Sequence, residues 1–180
     1  MLECAVIAFT ATATTREREN VSELACRAAS LSDMKGIWDL VRGVADDIPV
    51  SIASDSDQER ALSHLMECCS DNCSTVVYNM EKEIVGALLA ERDLLDLALA
   101  NKETINIRLT AAAAGHRDVA FKLLFDALIS RGAPIYISLP TGEGQALAKI
   151  LGEAGFSSAL NDGKAELFKW EPPVEAKAAA

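Results

Sequence analysis

INIRLTAAAAGHRDVAFKLLFDALISRG, residues 105–132, is the stretch on which the reading of this chain turns. It opens as a strand, with Ile105, Ile107 and Leu109 on one face and Asn106, Arg108 and Thr110 on the other. It closes as a helix whose apolar stripe is Val119, Ala120, Leu123, Leu124, Ala127 and Leu128. Lys122 and Asp126 stand four apart on the opposite face, Arg131 lies in the last turn, and Gly132 suits a left-handed stop. Between strand and helix runs a small-residue loop, Ala111–Asp118, ending in Gly115, His116, Arg117 and Asp118. A strand that feeds a helix through such a loop aims backbone N–H groups at one point, where an anion can dock. An ordinary packing unit has the same outline.

The rest of the chain sets bounds on that reading. Its 180 residues suffice for one domain with a full core, and half of them are apolar. A net charge of −10 argues against nonspecific binding to nucleic acid or to an anionic membrane. No run is long and apolar enough for a membrane span. The start, MLECAVIAFTATATT, lacks a basic leader, so no signal peptide is expected. Five cysteines without framework spacing point to free thiols in a reducing, cytoplasmic setting.

Residues 1–24 form an extension, either an edge strand or a contact with a partner chain. A strand at ACRAAS then leads into a helix that Ser32 caps, with Met34, Ile37, Trp38, Val41 and Val44 buried and its end before Asp46, Asp47 and Pro49. A second helix starts near Ser56, burying Leu62, Leu65, Met66 and Cys69, and breaks at Ser70–Asn72. STVVYNM and EIVGALLAERD form a hairpin turning at Glu81–Lys82, and DLLDLALA reads more easily as a short amphipathic helix than as a strand. After the central unit, PIYISLP reads as a strand buried on both faces. Gly142–Gln145 opens a helix that stops at Gly155–Phe156, and AELFKWE is the last strand before a disordered tail, 172–180.

His64, Cys68, Cys69 and Cys73 fall close together, and His64 and Cys68 stand four apart, as zinc ligands on a helix can. Buried thiols at a helix end explain the cluster more simply, and no metal is expected. Neither histidine sits in a nucleophile motif, and the Gly-Lys-Ser/Thr of a phosphate loop is missing.

The order of elements from residue 25 to 171 resembles the GNAT superfamily of N-acetyltransferases, an α/β (α+β) fold with a mixed, mostly antiparallel, splayed central sheet flanked by helices. RAASLSDMKGIWDLV, EIVGALL with its Gly86, the central strand–loop–helix and LAKILGEAGF carry the likeness. The resemblance implies an acyl-CoA co-substrate, acetyl-CoA or another, whose acyl group passes to an amine of a small molecule or protein. It implies pyrophosphate binding at Gly115, His116, Arg117, Asp118, Val119 and Ala120. An oxyanion donor in the backbone near Leu109 is implied as well. In the family pattern Arg/Gln-x-x-Gly-x-Gly/Ala, Gly115 and Asp118 depart and Ala120 agrees. Leu151 stands where many members carry a tyrosine that protonates the leaving thiolate. Glu91 and Glu103 are the candidate bases. A binding or regulatory module with a degenerate cofactor site is the alternative. Exposed apolar residues in CAVIAF and DLLDLALA lead us to expect a homodimer.

Overall fold

Short runs of β-branched and apolar residues pair in chain order before the first parallel connection is made. The computed structural model describes residues 24–45, 48, 52–140 and 145–173. Most of the N-terminal extension, residues 46–47 and 49–51, the residues 141–144 and the last seven residues lie outside that set. Strand β1 (Ala25–Ala28) pairs antiparallel with β2 (Thr75–Tyr78), and β2 with β3 (Ile84–Arg92). The β2–β3 turn falls where the sequence places it: Lys82 takes the left-handed conformation, and its N–H donates to the Asn79 carbonyl at 3.0 Å. Strand β4 (Ile105–Ala112) continues the antiparallel series. Strand β5 (Ile135–Pro140) then lies parallel to β4, as a strand–helix–strand crossover requires. A hairpin of β6 (Ser157–Asn161) and β7 (Ala165–Trp170) completes the sheet, in the order β1-β2-β3-β4-β5-β7-β6.

Helices α1 (Met34–Gly43) and α2 (Asp55–Ser70) pack on one face of the sheet, over β3. Their core holds Ile37, Leu40, Val41, Leu65, Cys68 and Cys69 against Val76, Ala87 and Leu89. The opposite face is covered by α4 (Arg117–Ile129), which lies on β1 to β4, and by α5 (Gln145–Glu153), whose Leu147, Ile150 and Leu151 join the same core. Helix α3 (Leu94–Ala100) joins β3 to β4 where a helix is expected, but it buries none of its residues, so the expected amphipathic packing face is not used within the described residues.

Several local expectations need correction. The turn before α1 is capped by Ser30, not Ser32. Asp33 Oδ2 accepts from the Ser30 N–H and from its hydroxyl, both at 2.9 Å, closing a capping box around a short 3₁₀ turn, Leu31–Asp33. In α2, Met66 is exposed and Cys68 is buried in its place beside Cys69. In α4, Val119 is exposed while Phe121 and Phe125 are buried, because the large rings win the inward face over the smaller aliphatics. Strand β6 was not expected from SSALN, whose five residues are all exposed and offer no apolar alternation to read. The C-terminal stop of α5 is as expected: Gly155 is left-handed and the Phe156 N–H donates to the Leu151 carbonyl at 2.9 Å.

Two further corrections shape the centre of the sheet. Leu89 faces Leu109 and Ala90 faces Ile107, so Arg108 is an extra residue in β4, a bulge. One extra residue inverts the alternation beyond it. Ile105 and Ile107 enter the core under α4, whereas Leu109 packs with the α1–α2 cluster and does not share their face. Strand β5, expected to be buried on both sides, is buried on one only. Ile135, Ile137 and Leu139 point into the α4–α5 core, while Tyr136 is half-buried and Ser138 exposed. The reason is that α1 and α2 stand over β3 and reach only to β4.

Candidate active site

The chain parts its own sheet at one place. Strands β4 and β5 are paired through Ile105–Ile135, Asn106–Tyr136 and Ile107–Ile137. Beyond these pairs β4 runs on from Arg108 to Ala112 and β5 from Ser138 to Pro140 without pairing to each other. The parting begins at the Arg108 bulge, since a bulge bends and twists the strand that carries it. The result is a V-shaped opening between two strand backbones, with Leu109 just inside its closed end.

Strand β4 ends at the wide end of that V. The Ala113 N–H donates to the Val85 carbonyl at 2.9 Å, which ties the outgoing loop back to β3. A 3₁₀ turn, Ala114–His116, closes with His116 N–H on the Ala113 carbonyl at 2.9 Å, and α4 starts at Arg117. Ser54 and Asp93 cap α2 and α3 through their side chains, but His116 gives α4 no such cap. Ala114 and Gly115 are exposed, and a Cβ added to Gly115 would meet nothing within 4 Å. His116 and Arg117 are half-buried; Asp118 and Val119 are exposed in the first turn of α4. Ala120 is fully buried against β3, where a Cβ on Gly86 would come within 3.0 Å of it. The loop residues singled out from the sequence are therefore brought together around one helix mouth, at the open end of the cleft.

The proposed bases fare differently. Glu91 lies on β3 beside the bulge, and Arg108 Nε donates to its Oε1 at 2.8 Å while Nη2 binds the same oxygen. Glu103 is exposed in the turn before β4, two residues ahead of Ile105. Six strand-like steps of about 3.3 Å separate it from Leu109, roughly 20 Å toward the closed end, so the structure does not bring Glu103 to the cleft. Leu151 is fully buried under α4 and cannot offer a proton to a leaving group. His64 is exposed, whereas Cys68 and Cys69 are buried in one cluster and Cys73 in the other. Among the described residues no group of histidines, cysteines and carboxylates stands ready for a metal.

Sequence reading missed a row of side chains across the face of β4, β5 and β7 that no described helix covers. Glu91 faces Asn106, Asn106 faces Tyr136, and Tyr136 faces Lys169, so four polar residues from β3, β4, β5 and β7 lie side by side. The signal was present in PIYISLP, where Tyr136 and Ser138 alternate with Ile135, Ile137 and Leu139 as on a half-exposed strand.

A buried thiol borders this row on its α2 side. Burial pushes the Cys68 thiol up to about 11, with the Glu91 carboxylate adding to the shift. Such a thiol is almost wholly protonated near neutrality and is no nucleophile.

No family model and no curated protein sequence matches the chain. Solved structures do. A histone acetyltransferase HPA2 and related acetyltransferase from Corynebacterium glutamicum superposes with a TM-score of 0.60 at 20% identity, over 86% of this chain and 98% of that one. The PaiA N-acetyltransferase of Thermoplasma acidophilum, in complex with coenzyme A, gives 0.61 at 12% identity over 83% and 99%. Arylalkylamine N-acetyltransferase 2 of Aedes aegypti gives 0.63 at 12% identity over 83% and 99%. These likenesses establish that the chain has the fold of GNAT-family acetyltransferases.

Proposed function

We propose, taking the GNAT fold as premise, that this protein is an acyl-CoA-dependent N-acyltransferase. The observation that carries the proposal is the parting of β4 from β5 at Arg108, with the mouth of α4 at the open end of that parting. An acyl-pantetheine arm is slim and carries amides. Two strand backbones that have lost each other as partners can pair with it edge to edge. The pyrophosphate then falls at the start of α4, where first-turn amides and the helix dipole favour an anion and His116 supplies no competing cap. Gly115 leaves that mouth open, and Ala120 lets α4 approach β3 closely. Asp118 opposes a phosphate, but it is exposed and screened by water. The residues present fit the group.

The reaction is aminolysis. The amine nitrogen attacks the thioester carbonyl carbon, a C–N bond forms, the C–S bond breaks, and the thiolate takes a proton. Backbone N–H near Leu109 stabilises the oxyanion. Glu91 accepts the proton the amine must lose, and with Leu151 buried the thiolate is protonated by solvent. Helix α3 turns Leu94, Leu95 and Leu99 outward, 68, 67 and 79% exposed, and a second copy of the chain covers them in a homodimer.

Buried Leu151 also favours a second reading, a module that holds acyl-CoA without turning it over. Calorimetric titration with acetyl-CoA tests the first claim: saturable heat is expected, and no heat or thermal shift at millimolar ligand overturns it. Release of free thiol from acetyl-CoA with an amine present separates enzyme from module.

A further inference from the structure

Across β3 and β4, at the border of the face that no described helix covers, lies an ion pair that stability does not explain. Arg108 and Glu91 are 57 and 33% exposed, and a pair so exposed contributes only about 0–1 kcal/mol. The chain is acidic overall, yet it fixes one arginine at the bulge that opens the cleft. Both hydrogen bonds from Arg108 go to a single oxygen of Glu91. A guanidinium has five N–H donors and a carboxylate two oxygens, so the pair engages only part of each.

We infer that Arg108 and Glu91 are the recognition pair for a small zwitterionic acceptor, an α-amino acid or similarly short aminocarboxylate. This rests on the acyltransferase reading and supplies its acceptor class. A planar fork matches a carboxylate in bidentate fashion, and Glu91 takes the ammonium. The acceptor exchanges partners with the pair, so neither charge is left desolvated and alone. Position limits its size. Arg108 and Leu109 are neighbours, with Cα atoms about 3.8 Å apart, and the acyl carbon is held beside Leu109. Carboxylate and amine must therefore be close together in the acceptor. Asn106 and Tyr136, next in the same row, face its remaining polar groups. On transfer, Glu91 receives the ammonium proton, the freed amine attacks the acyl carbon to form the C–N bond as the C–S bond breaks, and the second proton lost from nitrogen passes through solvent to the thiolate, so coenzyme A leaves as its thiol.

The test pairs each amino acid with the amine that lacks its carboxylate: glycine with methylamine, phenylalanine with phenethylamine, lysine with cadaverine. Full-length protein is titrated by calorimetry with and without acetyl-CoA, and thiol release is followed in parallel. We expect one or more amino acids to bind and turn over, and their amines to bind at least about tenfold more weakly. Arg108→Gln should raise the amino-acid KM by about tenfold or more and leave acetyl-CoA affinity within about twofold. Glu91→Gln should weaken the amino acid and spare its N-acetylated form, which has no ammonium. If amines without a carboxylate serve as well, or if Arg108→Gln leaves the KM unchanged, the inference fails while acyl transfer stands. If acetyl-CoA does not bind but amino acids bind through Arg108, acyl transfer fails and the recognition pair stands.

Discussion

A Cβ placed on Gly86 would lie 3.0 Å from the Cβ of Ala120 and 3.4 Å from that of Val77, so strand β3 and helix α4 meet with no room for a methyl group. Both neighbours are the first atoms of side chains on rigid elements, and neither can swing aside. Gly86→Ala is expected to destabilise the fold by about 1–3 kcal/mol in urea unfolding. Adding Ala120→Gly should recover part of that loss, less about 1 kcal/mol for glycine inside a helix, so the two changes are not additive. Additive losses would mean the two residues do not touch.

Acid should expose the Ser30–Asp33 cap. The Arg27 guanidinium donates to Asp33 at 2.7 and 2.6 Å, which with the Ser30 bonds holds the buried carboxyl down to about 2. A depressed folded value means the stabilisation is complete above the unfolded value near 4 and is lost as pH falls through about 2. Asp33→Asn should lower stability by about 1–2 kcal/mol at neutral pH and remove that part of the acid-dependent loss. Denaturant curves at pH 6, 4, 3 and 2 distinguish the two proteins.

Native thiols should be slow. Burial raises Cys26 and Cys68 to about 11 and moves Cys69 and Cys73 in the same direction. At pH 8 a thiol of pKa 11 is thiolate in about one molecule per thousand. With Cys4→Ser as background, a colorimetric disulfide reagent should label these four cysteines slowly in the folded protein and promptly in guanidinium.

At the mouth of α4, Asp118→Gly should tighten coenzyme A binding by about two- to fivefold, and added salt should shrink the difference. Equal affinity of the two proteins in low salt would mean that Asp118 faces away from the ligand.

Helix α3 offers a check on assembly. Light scattering at tens of micromolar should report a dimer, and Leu99→Glu should give monomers with unchanged secondary structure. A monomeric parent chain refutes the homodimer.

How much of this could be read from residues alone depended on local chemistry. The Glu81–Lys82 turn, the short helix in DLLDLALA and the Gly155–Phe156 stop were legible because each is written in a few adjacent residues. Arg108 was visible as a polar residue on a strand, but nothing in LTAA says that the alternation slips there. A bulge is decided by the partner strand. The exchange of Met66 for Cys68 in the α2 core is tertiary too, since both fit a helical stripe and only packing against β3 selects between them. The row Glu91–Asn106–Tyr136–Lys169 joins positions up to 78 apart in the sequence, and only strand order reveals it.

The short parallel seam between β4 and β5 also bears on biogenesis. Strands β1 to β4 form an antiparallel half that leaves the ribosome first, with α1 and α2 already covering one side. Its other side, with Val77, Leu88, Ala90, Ile105 and Ile107, gains its helical cover only when α4 emerges, because among the described residues no earlier helix reaches it. Over that interval the nascent chain is a natural client for a hydrophobic-binding chaperone, and a stalled product ending before Arg117 would aggregate.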